Sequence, residues 1–227
     1  MSVAAAAVSV PTTMPPSASS SMSVAPWAGT APSGTDWAAH VVEAAAVTTG
    51  VLERAAAADW SRRPAGSDWS ARATLDHLAL GLLGYAGLLT VRPTDRYITL
   101  VGSLDPAAPI PHCLEGLRIA AGLLATTVRS TPPAARAWHP WGHSDGPGFA
   151  AMGVVELLVH TWDLAGAFEL GWQPPEHLAG PAVDRLFPEA PRGHGPAETL
   201  LWCTGRTALP GHPRRPADGW QWNGRVR

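Results

Sequence analysis

A chain of 227 residues, 46% hydrophobic and 15% charged, can hold one sizeable core with at most a small appendage. Its net charge of −2 leaves no basic footprint, which argues against nucleic acid or an anionic membrane surface as partner. All 16 basic residues are arginines, so lysine Schiff-base chemistry is excluded.

The two cysteines, Cys113 and Cys203, are too few for a disulfide framework and point to a reducing compartment, the cytoplasm, with each thiol acting as a small core residue. No unbroken apolar run reaches the roughly 18 residues of a membrane span, and a soluble chain with no membrane partner is expected. Oligomeric state is open. Residues 1–34, rich in Ala, Ser, Pro, Thr and Val, lack a basic segment ahead of the short apolar run Val3 to Val10. They read as a disordered leader, or as an over-extended start with Met14 or Met22 as initiator, because such a composition buries too little surface to offset its ordering entropy.

Residues 35–172 carry four helical patterns. The first, Thr35 to Asp59, is alanine-rich and opened by a Thr35 cap. After a link containing Pro64-Ala65-Gly66, Ser70 caps a second helix from Ala71 to Val91, on which His77, Gly81, Gly84 and Leu88 share a face. Two glycines beside a histidine leave open space or permit a close backbone approach. Residues 92–111 form a long connection whose β-prone run Tyr97 to Val101 has no second strand to pair with, so an extended crossover is expected. A third helix runs from His112 to Thr131 and stops at Pro132-Pro133. A loop with Trp138, His139, Trp141 and His143 then leads to Gly146-Pro147-Gly148, read as a breaker ahead of the fourth helix, Phe149 to Gly171. Residues 173–227 read as a short extension, with helices near Glu176 to Leu186 and Glu198 to Ala208. Its tail, with Trp220 and Trp222, is either a terminal strand or an irregular cover. Long links between four helices suit an all-α bundle whose successive helices do not simply alternate direction.

The fourth helix organises the chain. Gly153, Glu156, His160 and Asp163 lie three or four residues apart, hence on one face, while Val154, Val155, Leu157, Leu158, Val159, Trp162 and Leu164 cover every other direction. Two readings of that polar line remain: a narrow solvent-facing seam with an ordinary i,i+4 pair, or an interior line whose carboxylate must meet a cation or hydrogen bonds. In the second reading Glu156 and His160 offer two metal ligands, and His77 from a neighbouring helix offers a third, because bundle cores build metal sites from facing helices. Asp163, one turn on, is placed either to orient a liganding imidazole or to be a solvated charge. His139 and His143 form a competing pair in a loop. Cysteine ligation is disfavoured by the wide spacing of Cys113 and Cys203.

Four stretches together carry a resemblance: GFAAMGVVELLVHTWDLAGAFELGW, the upstream DWSARATLDHL, and the downstream LFPEAP and LLWCTGRTALPGHPR. From Thr35 to Arg215 the chain resembles the actinobacterial proteins with the mycothiol-dependent maleylpyruvate isomerase metal-binding domain, of the DinB-like superfamily. The resemblance implies an all-α, DinB-like four-helix bundle with long crossover connections. It implies that His77, Glu156 and His160 bind a divalent metal, with zinc expected, and that a low-molecular-weight thiol, mycothiol, is activated there. The thiolate would attack a small electrophile, in isomerisation or thiol transfer. Only residues 173–227 follow where the isomerase has a sizeable second domain, which counts against maleylpyruvate itself as substrate. Arg206, in TGR, is a candidate catalytic residue that would bind a substrate carboxylate; the other reading is an arginine neutralising the last carbonyls of a helix. The alternative function is a non-catalytic bundle that binds a metal or small ligand.

Overall fold

A computed structural model of the protein describes residues 34–99, 102–216 and 220–226. The leader read at residues 1–34 lies, but for Gly34, outside the described residues, as do Leu100 and Val101 of the β-prone run. The compact unit is Thr35–Arg227. Among its described residues are six helices: α1 (Trp37–Glu53), α2 (Ala71–Val91), α3 (Ile110–Ser130), α4 (Gly146–Ala167), α5 (Glu176–Leu186) and α6 (Pro196–Cys203). Among the described residues there is no strand, only the isolated bridges Ala137 to Ser144 and Leu209 to His212. The fold is therefore the all-α, DinB-like bundle that the resemblance implied.

Local chemistry sets the helix ends. The Ser70 hydroxyl accepts from the Ala73 amide at 3.2 Å, and α2 stops where Arg92 turns left-handed at φ 54°. Asp145 caps α4 by accepting from the Gly148 amide at 2.8 Å. Gly146-Pro147-Gly148 is thus the first turn of α4 and not a breaker before it: proline's missing N–H costs nothing where no carbonyl lies behind it. The helix ends expected at Asp59, Gly171 and Ala208 fall earlier, at Glu53, Ala167 and Cys203. At each end the backbone passes into a turn, where Ala55 N–H donates to the Leu52 carbonyl, Glu169 N–H to Gly166 and Gly205 N–H to Trp202.

α1 and α2 each pack against both α3 and α4 and lie diagonally across the bundle from one another. The cyclic order is therefore α1, α3, α2, α4, and it makes α2 and α4 neighbours although a whole helix separates them in the chain. Leu75, Leu78, Leu82, Leu114, Leu117, Leu124, Val155 and Leu158 fill the shared core. Gly153 of α4 lets the helices approach closely, since a Cβ there would stand 3.0 Å from both Leu82 Cδ2 and Leu124 Cδ2. Where α1 packs on α4 the buried Thr48 and Thr161 hydroxyls meet at 2.7 Å. Thr161 donates its own proton to the Leu157 carbonyl, so Thr48 is the donor to Thr161.

α2 has 21 residues and a mean hydropathy of 1.3 over its most apolar window, so by length and composition it is apolar enough to cross a membrane, although no unbroken apolar run in the sequence is. Its apolar face, with Leu75, Leu78, Leu82 and Leu88, is spent on α3 and α4, as expected of a core helix. The extension packs on α4 through α5, and α6 packs on α5. The described part of the tail is an irregular cover in which Trp222 is buried against Trp141 at 4.8 Å and Asn223 N–H donates to the Leu186 carbonyl.

Candidate metal centre

Adjacency of α2 and α4 brings His77, Glu156 and His160 together. Nε2 of His77 lies 3.3 Å, and Nε2 of His160 lies 3.2 Å, from the same carboxylate oxygen, Oε2 of Glu156. The imidazole planes stand at 85° with centroids 5.3 Å apart, and all three ligand atoms lie within 4.8 Å of one another. Tetrahedral zinc bonds of 2.0–2.2 Å place neighbouring ligand atoms about 3.3 Å apart. The polar line of α4 therefore faces α2 and not open solvent: the Glu156 side chain is 15% exposed, and His77, at 37%, forms the open edge.

The second nitrogen of His160 fixes its state. Nδ1 lies 3.1 Å from Oδ2 of Asp163, so it carries a proton and donates to that carboxylate. In the neutral ring Nε2 then has a lone pair pointed at Glu156 Oε2, an arrangement that only a cation or a proton between them makes favourable. Without metal, the proton serves. Burial disfavours the imidazolium, but hydrogen bonds and charge from Asp163 and Glu156 outweigh it and push His160 up to about 9. Burial would likewise raise Glu156, yet the two imidazoles hold it far below the usual carboxylate range. The donor set of one carboxylate and two Nε2 imidazoles thus fits a divalent ion such as zinc.

Asp163 is held in turn by Arg206, whose Nη2 and Nε donate to Oδ2 and Oδ1 at 2.7 and 3.2 Å. Nη1 of Arg206 donates to the Thr204 carbonyl at the end of α6, at 2.8 Å, and the guanidinium lies 5.9 Å from the Trp220 ring centroid. Both sequence readings of Arg206 anticipated a polar partner, but neither named Asp163. The pairing connects the C-terminal extension to His160.

Other walls of the site come from residues the sequence did not single out. Tyr85 donates to Oε1 of Glu156 at 3.5 Å, and burial followed by the Glu156 charge keeps its phenol well above its ordinary pKa. Burial, then the same carboxylate, pushes Tyr97 up to about 12. Trp69, 48% exposed, lies 4.8 Å from the His77 ring. Tyr85 is two turns beyond His77, and Tyr97 lies on a crossover whose path has no sequence signature. His139 stays outside the cluster: it is buried among Tyr85, Phe149, Trp141 and Trp222, accepts from the Trp141 amide through Nδ1 at 3.2 Å, and is pushed by burial down to about 4. His143 Nε2 donates to the Thr94 carbonyl at 2.8 Å. Cys113 and Cys203 are buried and unpaired, and burial pushes the Cys203 thiol up to about 12. A surface concavity of about 590 Å³, lined by Glu176, Glu198 and Leu209 among others, includes none of the three clustered residues.

Residues 41–165 match the family model described as the mycothiol maleylpyruvate isomerase N-terminal domain. The matched span contains His77, Glu156, His160 and Asp163 but not Arg206. Comparison with curated proteins and with solved structures gave no match.

Proposed function

Because the chain belongs to the mycothiol maleylpyruvate isomerase N-terminal domain family, we propose that it is an enzyme that activates a low-molecular-weight thiol, mycothiol first among them, at a divalent ion held by His77, Glu156 and His160. The activated thiolate is directed at a small electrophile, giving isomerisation or S-transfer. The observation that carries this reading is the convergence of two imidazole nitrogens on one carboxylate oxygen at 3.3 and 3.2 Å, between helices whose contributing residues are 79 positions apart. Zinc or a comparable ion supplies positive charge beside which a thiol ionises near neutral pH.

The chain's own residues do the rest. Asp163 holds the Nδ1 proton of His160, so Nε2 is the nitrogen offered to the ion. Tyr85 ties down Oε1 of Glu156 and leaves Oε2 facing the imidazoles. Arg206 is assigned to positioning Asp163 rather than to a substrate carboxylate, since two of its nitrogens are already spent on that side chain. The exposed edge of His77, flanked by Trp69, is where thiol and electrophile enter. A reduced thiol pool places this activity in the cytoplasm.

The test is metal analysis of protein prepared without chelator, then incubation with mycothiol and a panel of electrophiles. Close to one divalent ion per chain is expected, lost in the His77→Ala/His160→Ala double variant, together with a thiol adduct or an isomerised product. Metal retained by the double variant would overturn the ligand set. Bound metal without product across the panel would instead favour the non-catalytic bundle.

A further inference from the structure

Packing chiefly on α1 and α2, α3 buries Leu114, Leu117, Ala121 and Leu124 in the bundle. Along its opposite side Glu115, Ile119, Gly122, Thr126 and Arg129 follow one another in steps of four and three residues, which makes a straight strip. All but the half-buried Gly122 are exposed. Ile119 is 59% exposed and Leu123, one turn on, 50%; no other two large exposed apolar residues among the described ones lie a helical turn apart. A Cβ at Gly122 would meet nothing within 4 Å, so packing inside the subunit does not require a glycine that costs helix propensity. What the glycine permits is close approach from outside. Glu115 and Arg129 each lie seven residues from it, about 10 Å of axial rise. Among the described residues neither of these side chains has a hydrogen-bond or ion-pair partner, whereas Arg118 is taken up by Glu53 and Thr49 of α1.

We propose that this strip is the contact between two copies of the chain, with α3 paired antiparallel to α3 about a twofold axis at Gly122. Such an axis requires a patch that complements itself. Here Glu115 of each copy meets Arg129 of the other, once at either end of the contact, and Ile119 and Leu123 of both copies close over the bare backbone at Gly122. Burying those two side chains supplies the apolar gain. Parallel pairing would set Glu115 against Glu115 and Arg129 against Arg129, so the charges select the antiparallel form. One helix laid on one helix is at the small end of specific interfaces, and the pairing is therefore reversible and concentration-dependent. Because α3 lies diagonally across the bundle from α4 and the strip points away from the core, the contact leaves His77, Glu156 and His160 uncovered.

Sedimentation velocity of the full chain over a concentration series tests this. The parent is expected to pass from monomer to dimer as concentration rises. Glu115→Arg and Arg129→Glu each set like charges against one another at both ends of the contact, and each is expected to weaken the dimer by about fivefold or more. The double exchange Glu115→Arg/Arg129→Glu restores opposite charges across the axis and is expected to return the dissociation constant to within about threefold of the parent's. Gly122→Arg, for which the subunit itself has room, is expected to abolish the dimer while the melting temperature of the monomer and the metal content stay those of the parent. A parent that stays monomeric throughout the series overturns the proposal and leaves the strip to a partner of another kind. A dimer that persists in Gly122→Arg, single reversals that leave its strength unchanged, or a double exchange that fails to recover it would each overturn the pairing as well.

Discussion

His160 and Asp163 share a proton across 3.1 Å, Nδ1 to Oδ2, on consecutive turns of one helix, and the aspartate is gripped from its other side by a guanidinium 43 residues further along the chain. Most of what can be tested about the site follows from this relay, because it decides which imidazole nitrogen faces the ligand position.

Asp163→Asn keeps the size of the side chain but removes its charge and can present an N–H toward Nδ1. The variant is expected to remain folded and to bind metal about 10- to 100-fold more weakly, as disrupted outer-sphere partners of liganding histidines do. Competition against a chromogenic chelator measures this. Unchanged affinity would show that the aspartate does not orient the imidazole.

The metal-free protein has a predictable pH profile. His160 is raised from 6.5 to about 9, so its contribution is complete below pH 6.5 and is lost as pH rises toward 9. His139 is lowered from 6.5 to about 4: it stays neutral when folded but takes up a proton when unfolded, so stability is lost as pH falls from 6.5 toward 4. Glu156 and Asp163, both held below their ordinary values, add to the loss on the acid side. Thermal melts of chelator-treated protein should therefore peak near pH 6.5. His160→Gln should flatten the alkaline limb and His139→Gln the acid one. A melt that keeps rising from pH 6.5 to 9 would contradict the assignment for His160.

Two helical glycines should respond in opposite directions. At Gly50, in α1, a Cβ would meet nothing within 4 Å, so Gly50→Ala should stabilise by about 0.5–1 kcal/mol through helix propensity. At Gly153 the space is taken by Leu82 and Leu124 at 3.0 Å, and Gly153→Val should cost about 1–3 kcal/mol by forcing α2, α3 and α4 apart. Urea unfolding of both variants checks the pair. A neutral Gly153→Val would mean that the leucines yield more easily than their packing indicates.

The sequence by itself determined the helices and the spacing on them. Ser70 and the pattern behind it marked α2 at both ends, and the Glu156, His160 and Asp163 line was legible because three- and four-residue spacings are a property of one helix, needing no partner. Where local pattern misled, as at Gly146-Pro147-Gly148, the cause was also local: a proline reads as a stop until the Asp145 cap shows that it lies in a first turn.

Only the tertiary structure decided that α2 is a neighbour of α4, so that His77 meets Glu156, that Arg206 reaches Asp163, and that Tyr97 closes over Gly84. Each of these joins residues that no helical period relates. The meeting of His77 with Glu156 depends on the cyclic order of four helices, and that order is set by the simultaneous packing of all the apolar faces, among them the close approach at Gly153, rather than by any single segment of the chain.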